Sequence, residues 1–205
     1  ALHAVVSSAQ AEGVGVSLPL QLGNATLHEL ADLTVSFPEQ AFNALNPAFN
    51  RFSSGTTAVS KGVILSHASL LARIQSANDA LAIRPGDAVL WTLPMAHHFA
   101  VSIVLYLYYG ATTVIETTHQ PDQIYQAARD SGAKLLYGSP FHYARLAQCA
   151  DAGPLPHLRL AVSTASALSD GVATAFAKRF QLPLTQALGI IEVGLPIINL
   201  KHAAD

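Results

Sequence analysis

Four short segments hold residues whose types and spacing could do chemistry. The first is 52–62, FSSGTTAVSKG, where Ser53, Ser54, Thr56 and Thr57 supply donor hydroxyls, Gly55 lets a backbone approach a ligand closely, and Lys61 adds a mobile cation. That composition suits polyphosphate. It is not a Walker A loop, because Lys61 is followed by Gly62 and Val63 rather than by Ser or Thr. The second segment, 93–100 (LPMAHHFA), carries His97 with His98 next to it, a pair too close for the i, i+4 couple of a helical zinc site. The third, 163–168 (STASAL), is a run of small residues including Ala165, Ser166 and Ala167. The fourth, 186–194 (QALGIIEVG), holds Leu188 and Gly189 and places the carboxylate of Glu192 between two glycines, where it could serve a hard cation.

The elements that must position these residues follow from hydrophobic periodicity. Ser66 reads as the N-cap of a helix over 67–81, with Leu70, Leu71, Ile74, Ala77 and Leu81 at helical spacing and Pro85-Gly86 as its stop. Thereafter strands are expected at 87–93, 111–116, 133–137, 158–163 and 184–188. Helices are expected at 99–109, 121–131, 140–149 and 169–180, the last with Val172, Phe176 and Phe180 on one face. Such alternation predicts an α/β fold with a mainly parallel sheet covered by helices on both faces. Ligands of such sheets bind at the carboxyl ends of the strands, so segments 53–61, 94–98, 138–140, 163–168 and 189–194 are expected at the site. The loop at 54–60 is expected between an apolar strand and the helix that follows. Residues 1–47 are less regular, with strand-like pieces at 3–6 and 14–22 and a helical turn expected at 27–33; a subdomain boundary is expected near 48.

In its Ser-Gly-Thr-Thr core and trailing Lys-Gly, segment 52–62 resembles the phosphate loop of the adenylate-forming superfamily, the acyl-CoA synthetases, luciferases and peptide-synthetase adenylation domains. The Leu-Pro pair ahead of His97, the small-residue run at 163–168 and the Gly-x-x-Glu of Gly189 to Glu192 resemble three further signatures of that family, in the same order. The resemblance covers about 48–200. It implies the large N-terminal domain's α/β subdomain, ATP and Mg²⁺ as cofactors, and activation of a carboxylic acid as an acyl adenylate for transfer to coenzyme A or to an acyl carrier protein. By resemblance Ser53 to Thr57 and Lys61 would wrap the β- and γ-phosphates, 165–167 with Leu188 and Gly189 would line the adenine, and Glu192 would hold Mg²⁺. His97 would border the reacting carboxylate, Lys61 and His97 being the catalytic candidates and His98 a rival. Ala58, Ser60 and Ile191 depart from the family pattern, Ile191 standing where a hydroxyl usually meets the α-phosphate, and Leu188 replaces a frequent aromatic. These departures support an alternative, a non-catalytic relative acting as a binding scaffold. The resemblance also implies that the family's ribose-binding aspartate and C-terminal lysine domain fall outside this sequence, which therefore resembles a fragment expected to be inactive by itself.

Composition bounds the remaining classes. The 205 residues are 51% hydrophobic and 12% charged with a net charge of −2, which excludes the basic footprint of a nucleic-acid binder. The apolar run at 101–115 is too short and too interrupted for a membrane span. A single cysteine, Cys149, reads as a small helix residue and permits no internal disulfide, in keeping with a cytoplasmic location. A dinucleotide fingerprint fails at Gly13-Val-Gly15, which has no third glycine. The other histidines, His119 and His142 among them, show no ligand spacing and read as ordinary.

Overall fold

The computed structural model describes residues 4–7, 16–22, 25–29, 39–53, 61–190 and 192–201. Loop residues Ser54, Gly55, Thr56, Thr57, Ala58 and Ser60, and Ile191, lie outside the described residues. The chain divides into two units, 1–44 and 45–205.

In the first unit β1 (Ala4–Ser7), β2 (Val16–Leu22) and β3 (Ala25–Glu29) form an antiparallel sheet in the order β1-β3-β2. Residues 27–29 are therefore extended rather than part of a helical turn. Both edges of β3 find partners, Leu27 opposite Val6 and Thr26 opposite Gln21, and those ladders outweigh weak local preference. Helix α1 (Glu39–Leu45) closes this part of the chain.

The second unit opens with an antiparallel hairpin of β4 (Pro47–Ser53) and β5 (Lys61–Ser66), paired from Pro47 opposite Ser66 to Ser53 opposite Lys61. Loop 54–60 thus joins two strands of a hairpin and does not run directly into a helix as expected. The run Val63, Ile64, Leu65 favours a strand, and helix α2 (His67–Leu81) begins only after it. Ser66 caps α2 by accepting from the Ser69 N–H at 3.1 Å, and Ile74, Ala77 and Leu81 form its buried face. The Asn78 side chain ends the helix, accepting from Ile83 N–H at 2.8 Å and donating to Ile83 O at 3.2 Å.

Next come β6 (Ala88–Trp91), α3 (Met95–His98), a π-helical segment (Phe99–Ile103), α4 (Val104–Tyr108), β7 (Thr112–Ile115), α5 (Pro121–Asp130), β8 (Leu135–Gly138), α6 (Pro140–Gln148), β9 (Leu160–Ser163), α7 (Asp170–Phe180), β10 (Leu184–Ile190) and β11 (Gly194–Ile198). Proline at the first position of α5 and of α6, and Ser169 accepting from Val172 N–H at 3.4 Å ahead of α7, set the helix starts.

Six strands form one sheet in the order β11-β10-β9-β8-β6-β7, parallel except for β11, which pairs antiparallel with β10. Alternate strand residues enter two cores. Val89, Trp91, Leu135, Tyr137 and Val162 pack with α2 and α4, while Leu90, Leu136, Ala161 and Leu184 pack with α5, α6 and α7. Each large buried side chain contributes about 1.5–3 kcal/mol relative to exposure. The chain leaves β6 outward to β7 and then returns past it to β8. Connections from the neighbours β6 and β8 therefore diverge at their carboxyl ends and open a crevice there.

Candidate active site

The connections leaving the carboxyl ends of the parallel strands assemble the site. From β8 comes Tyr137, from the loop after β9 Thr164, from the end of β10 Gly189 and Ile190, and from the long helical crossover His98 and Tyr106. Together they wall a cleft of about 220 Å³. Arg51 of β4 reaches the same cleft.

Trp91 organises this wall. It is fully buried on the last position of β6, stacks on Tyr137 at 5.0 Å between ring centroids, lies 6.0 Å from Tyr106, and meets His98 edge to face at 5.2 Å. Its Nε1–H donates to Leu93 O at 2.6 Å, which ties the Leu93-Pro94 turn to the strand it leaves. The crossover then winds through the π segment, where Val104 N–H bonds to Phe99 O, five residues back. The extra residue in that turn changes the angular relation between His98 ahead of it and Tyr106 after it, and such π turns are frequent at functional sites. Sequence reading missed Trp91, Tyr106 and the π turn; a lone tryptophan entering the Leu-Pro turn was the one available signal.

The Glu192 turn is held from outside the sheet. Val193 N–H bonds to Ile190 O at 3.0 Å, and Arg73, projecting from α2, donates through Nη2 to the Glu192 carbonyl. Gly194, at φ +101°, lies against the Arg73 stem, which a Cβ there would meet at 3.4 Å. Burial lowers the Arg73 pKa, and the Glu192 charge offsets part of that effect. The Glu192 side chain itself is exposed. Among the described residues no group of three or more His, Cys, Asp or Glu side chains gathers as a metal cage. Mg²⁺, however, is ordinarily carried by one or two carboxylates together with substrate phosphates, and a single exposed carboxylate on a strand-end turn fits that role.

The remaining sequence-predicted residues fall as follows. Ser53 and Lys61 face each other in register across the hairpin; Ser54, Gly55, Thr56 and Thr57 lie outside the described residues. His97 belongs to α3, and the neighbouring His98 lines the cleft. Ala165, Ser166 and Ala167 are exposed in the loop after β9, where Ala165 adopts φ +74°. That left-handed turn follows the bond from Thr164 N–H to Gly138 O at 3.0 Å. On β10, Ala187 enters the core under α2 and α4, so Leu188, 48% exposed, faces the opposite side of the strand from Gly189 and the cleft. The strand end thus separates two environments, a walled cleft on one face and an open apolar surface on the other.

Two histidines expected to be ordinary are paired. His142 Nδ1 lies 3.1 Å from Ser139 N–H and 2.8 Å from Ser139 Oγ, while its Nε2 is 2.7 Å from His119 Nδ1. Since Ser139 N–H must donate to Nδ1, the His142 proton sits on Nε2 and is donated to His119. Burial first, and His119 second, push His142 down to about 4. Cys149, just beyond α6, is buried and donates through Sγ to Asp122 Oδ1 at 2.9 Å; burial pushes the thiol up.

Comparison with known proteins agrees with this architecture. The family model for AMP-binding enzymes matches residues 4–205. Luciferin 4-monooxygenase of Photuris pensylvanica is 30% identical over 148 residues, 69% of this chain and 27% of that protein. Sulfoacetate–CoA ligase of Cupriavidus necator is 27% identical over 155 residues, 75% of this chain and 30% of that protein. Among solved structures, MatB from Rhodopseudomonas palustris superimposes in its apo form with a TM-score of 0.70 at 22% identity, over 87% of this chain and 35% of that one. Its ATP-bound form gives 0.66 at 25% identity, over 76% and 31%. The chain spans under a third of the length of the two curated relatives. On its fold and on the match over 4–205, the chain is a member of the AMP-binding enzyme family.

Proposed function

We propose that the chain serves the ATP-dependent activation of a carboxylic acid as an acyl adenylate, for transfer to coenzyme A or to a carrier-protein thiol. The observation that carries this reading is the position of Gly189 and Glu192. The end of one strand contributes Gly189 to the cleft and, three residues on, carries the exposed carboxylate of Glu192 between the cleft-lining Ile190 and Gly194. The names of the relatives support it, one being a ligase of sulfoacetate and CoA and another a protein solved with ATP bound.

In the proposed reaction a carboxylate oxygen attacks the α-phosphorus, the bond to the α,β-bridging oxygen breaks, and pyrophosphate leaves with that electron pair. A thiol then attacks the acyl carbon and AMP departs. Ser53, Ser54, Gly55, Thr56 and Thr57 would supply N–H and hydroxyl donors to the β- and γ-phosphates, and Lys61 would add its positive charge to them as a catalytic group. Ala165, Ser166 and Ala167 edge the adenine, and Leu188 covers one of its faces. His98 or His97 borders the carboxylate within the cleft. Glu192 would hold Mg²⁺, which would supply positive charge to offset that of the pyrophosphate.

Titration of ATP into the chain with and without Mg²⁺ tests this assignment. Saturable binding that requires Mg²⁺ is expected, weakened about 10- to 100-fold by Glu192→Gln, the loss of a charged ligand being worth about 1.5–3 kcal/mol. Absence of saturable binding in the wild type would leave the scaffold reading supported by Ala58, Ser60 and Ile191.

A further inference from the structure

Glu192 sits on a turn where the strand ladder is irregular. The register of β10 against β11 shifts between Leu188 and Ile190, and Ile190 opposite Gly194 is the last pair before the turn. Within the turn Val193 N–H returns to Ile190 O at 3.0 Å, while the Glu192 carbonyl accepts from Arg73 Nη2 of α2. Helix α2 is a firm support for that donor. Ile74, next to Arg73, and Ala77 are buried in the core, and Leu195 and Ile198 of β11 pack against the same core. The Arg73 stem also lies against Gly194, whose φ of +101° and missing Cβ allow the approach, an added Cβ meeting Cγ and Cδ at 3.4 Å. A single side chain thus grips the turn at Glu192 and again at Gly194.

That grip has a direction. The Glu192 carbonyl lies in the plane of the peptide that links Glu192 to Val193, so pinning its oxygen restricts ψ of Glu192 and the direction in which the side chain leaves the backbone. Because the carboxylate is exposed, the fold orients it through the backbone that carries it. The guanidinium has a second, opposing effect, since Arg73 and Glu192 feel one another's charge and a cation at the carboxylate would be repelled. Across water at contact distance that repulsion is worth about sixfold at most, whereas a hydrogen bond from a charged donor is worth about 10- to 100-fold. Holding the turn outweighs the repulsion. We propose that Arg73 is a positioning residue, which holds the Glu192 turn in the orientation that receives Mg²⁺ together with ATP. The assignment rests on the adenylation reading, in which Glu192 carries the ion, and adds the residue that presents it.

Calorimetry of MgATP binding, with AMP in EDTA as the metal-free control, tests it on the wild type, Arg73→Met, Arg73→Lys and Glu192→Gln. Methionine keeps an unbranched stem against Gly194 and removes both the donor and the charge. Arg73→Met is expected to weaken MgATP about tenfold and AMP by less than about twofold. Arg73→Lys keeps a charged donor and is expected to stay within about threefold of the wild type for both ligands. Added to Glu192→Gln, Arg73→Met is expected to weaken MgATP no further. Equal weakening of MgATP and AMP by Arg73→Met would make Arg73 a support of the fold alone and overturn the proposal. Unchanged or tighter MgATP binding, the sign of repulsion alone, overturns it as well. If Glu192→Gln binds MgATP as tightly as the wild type, the metal assignment to Glu192 fails and the proposal with it. Absence of MgATP binding by the wild type overturns the adenylation reading itself, and neither of these last two results depends on an Arg73 variant folding.

Discussion

At the scale of single residues, the cleft depends on Trp91 more than on the side chains that face it. Its ring contacts His98, Tyr106 and Tyr137, and its Nε1–H holds the carbonyl of Leu93. Trp91→Phe keeps an aromatic core but leaves that buried carbonyl without its donor and opens a small void. The variant is expected to lose about 2–3 kcal/mol by chemical denaturation, and to bind acyl-adenylate analogues more weakly because the Leu93-Pro94 turn ahead of His98 loses its anchor. None of this was legible from residue types, because a buried tryptophan declares hydrophobicity in the sequence but not its neighbours. Glu192 and His97 were legible as candidates, since a carboxylate between glycines and a histidine after Leu-Pro are chemically unusual. Arg73 was not, because the guanidinium that holds the Glu192 turn comes from 119 residues earlier in the chain.

At the scale of elements, α6 carries a pH dependence through its first turn. His142 is neutral in the folded protein at about 4, below the ordinary 6.5, because burial and His119 disfavour its charged form. Between those values the unfolded chain binds the proton that the folded chain refuses. The stabilising contribution is therefore complete above about pH 6.5 and declines as pH falls toward 4. A denaturation midpoint measured across that range should fall on acidification. In His142→Asn, whose carbonyl can still accept from Ser139 N–H without titrating, the decline should be shallower. The strand β11 illustrates a different limit of sequence reading. Pro196 interrupts its pattern and argues against a central strand, yet proline is tolerated at a sheet edge, and among the described residues β11 pairs only with β10. Its place at the edge could not be read from the segment alone.

At the scale of the second unit, 45–205, stability should follow the layering of the sheet. Strands β8 and β9 are buried at every position and paired on both sides, whereas β7 and β11 are sheet edges with exposed residues such as Ile115 and Ile197. Hydrogen exchange followed by mass spectrometry is expected to find the slowest amides in 135–138 and 160–163 and faster ones in 112–115 and 194–198. Exchange in β11 as slow as in β8 would contradict this layering. The same order of strands explains why the site lies where it does. The crevice forms where connections from β6 and β8 diverge, and the 189–194 turn, the loop after β9 and the crossover helix all open toward that edge.

The amino-acid sequence by itself determined the α/β alternation, the cap at Ser66, and the order of the chemistry-bearing segments. Those are local properties, encoded in periodicity, capping residues and turn composition. Tertiary structure alone decided that the loop at 54–60 belongs to a hairpin, that 27–29 pair as a strand, and that His98, Tyr106 and Tyr137 converge on one cleft around Trp91. It also decided that His119 and His142 share a proton and that Arg73 meets the Glu192 turn. Each of these depends on strand order and on which face of the sheet a helix covers, quantities set by pairing and burial between residues far apart in the chain.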